Sequence, residues 1–334
     1  MEETPKRRIG VKRWIVLALI IFGAYLQFGP LTPVQPNVFL PGEPLPYTIP
    51  IINLPLTNTI VALLITDVII IVMAFYIWRK TKSGSLVPTG FYNLLEAIYE
   101  FLWTTTESTG GTKYARKIFP FVATIFTLVL VSSWMEMIPG VDSIGVLEPA
   151  HGSLTGYAAR PIGNFAYWID GSEVLPHDEA VVGEHAEMCT SCTITPFIRV
   201  APTDLNFTLS LALISVFMTQ VFGFATQKMG YATKYFNFKA LVTIPVMGAM
   251  DFIVGLLELL SEFVKIVSFT FRLFFNIFVG QLLLFIFGSL LTFILPTGLY
   301  LFELFVGVIQ AYVFYLLTLI FMSQATIAHG AEAH

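Results

Sequence analysis

The chain has 334 residues, a length that would suit two soluble domains, but its composition excludes that class. Apolar residues make up 56% of the chain and charged residues only 12%, which is about half the charged share usual in soluble proteins. Because a soluble fold of this size could not bury so much apolar surface, we expect an all-α membrane protein in a lipid bilayer. The net charge of −4 gives no basis for nucleic-acid binding.

Six apolar stretches predict six transmembrane helices, since a helix needs about 20 apolar residues to cross a bilayer. They run over residues 14–28, 59–78, 119–138, 207–226, 240–295 and 299–323. The first follows five basic residues and is short, so it is either a secretory signal or an anchor. No small-x-small cleavage site follows it, which favours an uncleaved N-terminal anchor.

Basic residues are concentrated in alternate loops between these stretches. The N-terminus, the loop after the second stretch and the loop after the fourth hold five, six and three of the 18 basic residues. Cytoplasmic loops carry such an excess, so both termini are expected in the cytoplasm. Apolar residues from Phe91 to Trp103 recur at helical spacing and predict an amphipathic helix on that inner side. The loop over residues 139–205 is acidic and falls on the outer side.

The fifth stretch is far too long to cross a bilayer upright. Its 56 residues would span about 84 Å as a helix, against a hydrocarbon core of about 30 Å. We therefore expect two long, tilted C-terminal helices that form a hairpin. Six polar residues of this stretch follow one another at spacings of 7, 4, 3, 7 and 4, which keeps them on one helical face: Asp251, Glu258, Glu262, Lys265, Arg272 and Asn276.

Arg272 is the charge in this row that its own helix cannot neutralise. Lys265 can pair with Glu262 or join a Glu258–Glu262–Lys265 series, but no carboxylate lies within one turn of Arg272. A charge at mid-bilayer costs at least about 2.5–3.5 kcal/mol, and a guanidinium remains protonated. The partner of Arg272 must therefore come from another helix or another subunit.

Three further polar residues lie in the last two stretches. Gln281 is nine residues beyond Arg272, so it faces a neighbouring helix, where we expect it to hydrogen-bond Glu303. Glu303 and Gln310 are seven residues apart and share one helical face. A carboxylate inside a span is by default a candidate functional residue, whereas a lone Gln more often joins helices.

The sequence from Ser268 to Gly280, SFTFRLFFNIFVG, resembles the signature of subunit a of F-type ATP synthases, which has Arg, Leu-Phe, Asn and Gly at these positions. The segment QAYVFYLLT from Gln310 is similar to the second signature of that family, and WMEMIP from Trp134 and PTDLNFTLS from Pro202 resemble its outer-side segments. The resemblance covers roughly residues 57–323.

The resemblance implies a proton-translocating subunit with two offset half-channels beside a rotating ring of c subunits. Arg272 would meet the ring carboxylate and block a proton short circuit, with Gln310 assisting it and Asn276 lining the path. Glu258 would belong to the inner half-channel, and Glu136, Gln281 and Glu303 to the outer one. The resemblance also implies peripheral-stalk b subunits as partners, no enzymatic activity of the chain alone and no cofactor. The N-terminal anchor and the long outer insertion favour the plasma membrane of a bacterium.

The resulting division has four regions. Residues 1–56 form the anchor and an outer segment, 57–138 the second and third spans with the amphipathic helix, 139–205 the acidic outer insertion, and 206–334 the proton-channel core.

The sequence departs from the family at Gln281, whose position usually carries an ionisable residue in relatives. Gln cannot ionise, so Glu303, alone or with Glu136, would have to relay protons on the outer side.

Rival functions explain less of the sequence. An ion-coupled secondary transporter or a channel would account for buried charges but not for the paired signatures around Arg272 and Gln310. A purely structural subunit gives no reason to keep Arg272 in lipid.

No role is assigned to Asp67. In the outer insertion, His177, His185, Cys189 and Cys192 do not match a standard zinc spacing, so a Cys189–Cys192 disulfide is favoured over a metal site.

Overall fold

The computed structural model describes ten segments of the chain and several isolated positions before residue 26. The segments are 41–49, 54–82, 90–138, 141–149, 156–162, 166–175, 191–228, 230–231, 245–290 and 294–326. Most of the first predicted span therefore lies outside the described residues. So do His177, His185 and Cys189.

Five helices among the described residues are long and apolar enough to cross a membrane. They are α1 (Asn58–Lys82), α2 (Phe91–Trp134), α3 (Leu205–Gln227), α4 (Pro245–Leu290) and α5 (Ile294–Thr326). They coincide with the second to sixth apolar stretches, and α4 and α5 are the two long C-terminal helices. The expected all-α membrane protein is confirmed for this part of the chain.

Helix α2 combines two elements that the sequence separated. The amphipathic segment and the third span are two helices that follow each other without a loop over 44 residues and meet at a kink at Gly111. Gly111 has φ 71° and ψ 151°, a backbone conformation that is essentially restricted to glycine. The bend gives the two halves of α2 different directions, so the first half can follow the membrane surface while the second half crosses the bilayer.

Polar side chains hold the beginnings of α1 and α3 together. Asp204 caps α3 by accepting a 2.9 Å hydrogen bond from the backbone N–H of Asn206. The other oxygen of Asp204 accepts a 2.9 Å hydrogen bond from the hydroxyl of Thr59, in the first turn of α1. Both carboxylate oxygens are therefore used structurally. A hairpin of β1 (Pro44–Ile49) and β2 (Leu54–Thr57) precedes α1 directly.

The acidic insertion contains an antiparallel sheet that the sequence had not predicted. Its strands are β3 (Gly145–Pro149), β4 (Gly156–Ile162), β5 (Ala166–Leu175) and β6 (Cys192–Pro196), in the order β3-β6-β4-β5. Cys192 is buried at the start of β6 and is disulfide-bonded, as the favoured interpretation requires. No group of three or more possible metal ligands occurs among the described residues.

The chain divides into two compact units. Unit 1 comprises Met1–Phe39, Pro139–Ile198 and Val279–Leu304, and unit 2 comprises Leu40–Ile138, Arg199–Phe278 and Phe305–His334. Unit 1 contains the four-stranded sheet, the end of α4 and the beginning of α5. Unit 2 contains α1, α2 and α3 with the remaining parts of α4 and α5. Its core includes Leu102 and Ile118 of α2, Leu273 of α4 and Tyr315 of α5, all almost fully buried.

Candidate functional site

Aromatic side chains fix the position of α4 against α5 within unit 2. The rings of Phe269 and Phe314 lie 4.9 Å apart between their centroids, and both side chains are buried. Leu273 and Ile277 of α4 continue this buried face at spacings of four residues. Aromatic pairs at such distances add stability beyond their buried area. The packing leaves the opposite face of α4 exposed around Arg272.

Arg272 lies on that exposed face and makes no hydrogen bond or ion pair with any described residue. Its exposed neighbours on α4 are Phe271 and Phe275, whose rings stack at a centroid distance of 5.4 Å. A membrane-embedded guanidinium surrounded by apolar side chains is costly unless an anion is brought to it. Nothing in the described part of the chain supplies that anion.

Asn276 and Gln310 join the two helices one turn away from Arg272. The side-chain amide of Asn276 donates a 3.3 Å hydrogen bond to Oε1 of Gln310. Gln310 is only 5% exposed, and its Nε2 has no hydrogen-bond partner among the described residues. The structure therefore brings Arg272, Asn276 and Gln310 into one region of unit 2, and it leaves an unused donor on Gln310.

The other cation of α4 is neutralised within the helix. Nζ of Lys265 lies 2.8 Å from Oε1 of Glu262, three residues earlier, and 4.5 Å from the centroid of the Phe321 ring. Glu258, one turn before Glu262, is half-buried. Lys265 and Arg272 thus differ sharply, because Lys265 has a carboxylate and an aromatic ring to stabilise it, whereas no described residue forms an ion pair or a cation–π contact with Arg272.

In unit 1, Glu303 of α5 lies directly against the backbone of α4. A Cβ atom placed on Gly280 would lie 2.6 Å from Oε1 of Glu303 and 2.7 Å from its Cδ. Glu303 is 6% exposed, and its Oε1 has no hydrogen-bond partner among the described residues. The missing side chain at position 280 therefore makes the space that the buried carboxylate occupies.

The prediction of a hydrogen bond between Gln281 and Glu303 is wrong. Nε2 of Gln281 instead donates a 2.8 Å hydrogen bond to Oδ2 of Asp142, in the loop that leads into β3. Positions 280 and 281 of α4 face different directions, since successive helical residues are rotated by about 100°. Asp142 had been only one of nine acidic residues in the outer segment, and no spacing in the sequence links it to Gln281.

Glu136 is the remaining candidate, and it belongs to unit 2. It lies in a single 3-10 turn, Met135–Met137, that ends α2, and it is 7% exposed. Unit 1 thus holds Gln281 and Glu303, whereas unit 2 holds Glu136, Glu258, Arg272, Asn276 and Gln310.

Comparison with known proteins shows the family to which the chain belongs. The family model described as ATP synthase A chain matches residues 60–323. The ATP synthase subunit a of Mycobacterium ulcerans is 26% identical over 273 residues, which cover 80% of this chain and 86% of that protein. The protein of the same name from Rubrobacter xylanophilus is 36% identical over 142 residues, which cover 40% of this chain and 53% of that protein. The match of the family model over most of the chain shows that this multi-pass membrane protein belongs to the ATP synthase A chain family.

Proposed function

We propose that the chain conducts protons through the membrane sector of an F-type ATP synthase, along two offset half-channels beside a ring of c subunits. The observation that supports this proposal is that Arg272 is exposed and forms no ion pair with a described residue. Its guanidinium is exposed on an apolar helix face and has no ionic partner among the described residues. A carboxylate that arrives on a moving partner would satisfy it only while the two face each other.

The physical basis of this role is the difference between lipid and the surroundings of Arg272. A carboxylate that faces lipid is stable only when it is protonated, because burial disfavours its charge. Opposite a guanidinium the ionised form becomes favourable. Each ring carboxylate would therefore lose its proton on reaching Arg272 and regain one before it returns to lipid. A fixed charge at this point also opposes the direct passage of a proton between the two half-channels.

The remaining candidates divide between the two sides of the membrane. Glu258 is proposed for the inner half-channel, and Glu136, Gln281 and Glu303 for the outer one. Gln310 and Asn276 would orient groups near Arg272, since the unused Nε2 of Gln310 can donate to an arriving carboxylate. One charge crossing 100 mV supplies about 2.3 kcal/mol, so several crossings are needed for each ATP. Partners would include the c ring and peripheral-stalk b subunits in a bacterial plasma membrane, with both termini cytoplasmic.

The test is Arg272→Ala in the complete complex, with ATP-driven proton pumping measured in inverted membrane vesicles. We expect coupled pumping to be lost while the complex still assembles. Arg272→Lys should also be severely impaired, because it keeps the charge but loses the planar fork. Arg116→Ala, which removes an exposed Arg of α2, is the matched control and should pump normally.

Two outcomes would contradict the proposal. Normal pumping by Arg272→Ala would show that the cation is not required. Purification of the chain without a ring or a soluble ATPase, together with substrate uptake by reconstituted vesicles, would instead support an ion-coupled transporter or a channel.

A further inference from the structure

The hydrogen bond between Gln281 and Asp142 connects two parts of unit 1 that are 139 residues apart in sequence. Gln281 lies inside α4 and is 8% exposed. Asp142 precedes β3 in the acidic insertion and is half-buried. The contact therefore joins the carboxylate of a half-buried residue, whose Oδ1 is itself buried, to an amide that is almost fully buried.

Glu303 lies beside the same short stretch of α4. Its carboxylate contacts the backbone at Gly280, and Asp142 binds the next residue, Gln281. Only 6% of Glu303 is exposed, and its Oε1 has no hydrogen-bond partner among the described residues. The carboxylates of one buried and one half-buried residue thus contact consecutive residues of one helix.

A buried carboxylate that exchanges protons needs groups that pass protons to it from solvent. Gln281 cannot be such a group, because a side-chain amide neither gains nor loses a proton at physiological pH. Asp142 can, and the amide of Gln281 holds it in a fixed position through a hydrogen bond to a charged acceptor, which is stronger than a neutral one. We propose that Asp142 is the proton-entry residue that supplies Glu303, and that Gln281 positions it.

The proton balance of this step is simple. Asp142 takes a proton from water on the outer side and becomes a neutral acid. It then releases that proton towards the Glu303 carboxylate, which becomes neutral while Asp142 returns to its ionised form. One charge is neutralised as the other is restored, and no further reactant is needed. This inference rests on the proposed function, in which Glu303 belongs to the outer half-channel.

A purely structural role for Asp142, as an anchor of the insertion on α4, makes a different prediction. Asp142→Asn keeps an oxygen that can accept the hydrogen bond from Gln281, but it removes the ionisable group. Asp142→Glu keeps the ionisable group and lengthens the side chain. An anchor should tolerate Asn better than Glu, whereas a proton carrier should tolerate Glu better than Asn.

The experiment measures ATP-driven proton uptake per assembled complex in inverted vesicles. We expect Asp142→Asn to slow uptake at least tenfold and Asp142→Glu to keep at least a third of the rate. Placing the carboxylate on the helix, in the double variant Asp142→Asn with Gln281→Glu, should recover part of the loss. The matched control is Glu148→Gln on β3, another carboxylate of unit 1, which accepts a 3.0 Å hydrogen bond from Thr195 and should leave the rate unchanged.

Glu303→Gln, measured in parallel, separates the two levels of the proposal. If Asp142→Asn pumps like Glu148→Gln while Glu303→Gln is blocked, Asp142 is not the entry residue and the proposed outer half-channel stands. If Asp142→Glu is slower than Asp142→Asn and the double variant recovers nothing, Asp142 is an anchor and not the proton-entry residue. If Asp142→Asn and Glu303→Gln both pump normally, the outer route through unit 1 fails altogether.

Discussion

Gly280→Ala is expected to impair proton transport by displacing the Glu303 carboxylate. The added Cβ would lie closest to Oε2 and 2.6 Å from Oε1, whereas ordinary contacts of this kind begin at 3.4 Å, so the carboxylate or the helices must move by at least about 0.8 Å. A misplacement of about 1 Å in a reacting group can lower a rate by about 100-fold. We therefore expect proton pumping to fall by about 10- to 100-fold, while the complex still assembles.

Gly288→Ala is the matched control for this prediction. Gly288 lies on the same helix, and a Cβ atom there would meet nothing within 4 Å. Both substitutions favour the helix by up to about 1 kcal/mol, so a difference between them isolates the effect on Glu303. Pumping is again measured in inverted vesicles, with complex content determined from ATP hydrolysis.

A second variant tests the geometric cause directly. Glu303→Asp shortens the side chain by one C–C bond, about 1.5 Å, and should recover part of the rate when it is combined with Gly280→Ala. Equal rates for Gly280→Ala and Gly288→Ala would refute the reasoning, because the space at Gly280 would then have no bearing on Glu303.

Two further predictions concern the stability of unit 2. Tyr315→Phe should lower the free energy of unfolding by about 1–3 kcal/mol, because the buried hydroxyl donates a 2.6 Å hydrogen bond to the carbonyl of Leu102. Tyr312→Phe is its control and should have little effect on thermal unfolding in detergent. Gly223→Ala should cost about 1–3 kcal/mol, because its Cβ would lie 2.5 Å from the ring of Tyr231. An unchanged melting temperature for either variant would contradict the packing described for that position.

Most of the helical fold could be predicted from the sequence, because a membrane span is a local property. The apolar stretch at 207–226 corresponds to α3, Leu205–Gln227, with differences of only one or two residues. The sequence did not show that the amphipathic segment and the third span are joined by a kink at a single residue. The intervening basic residues suggest a loop, whereas the two helices meet directly at Gly111, whose backbone angles are not helical.

The sheet of the insertion depends on pairing between distant residues, such as Gly145 with Pro196, which an acidic segment without clear alternation does not reveal. The candidate site shows the same limit. Arg272 could be singled out from its own helix, since its neighbours at three and four residues include no carboxylate. The partner of Gln281 could not be identified from the sequence, because Asp142 comes close to Gln281 only when the insertion folds.

The bend in α2 also restricts how this part of the gene can diverge. Gly110 and Gly111 are adjacent, but an alanine at Gly110 would meet only the side-chain ends of Ile118 and Leu319, at 3.9 Å. Gly111 has a backbone conformation that no residue with a side chain adopts at low cost. Gly110 should therefore tolerate substitution, whereas Gly111 should not. We therefore expect point substitutions to accumulate at Gly110 and to be selected against at Gly111.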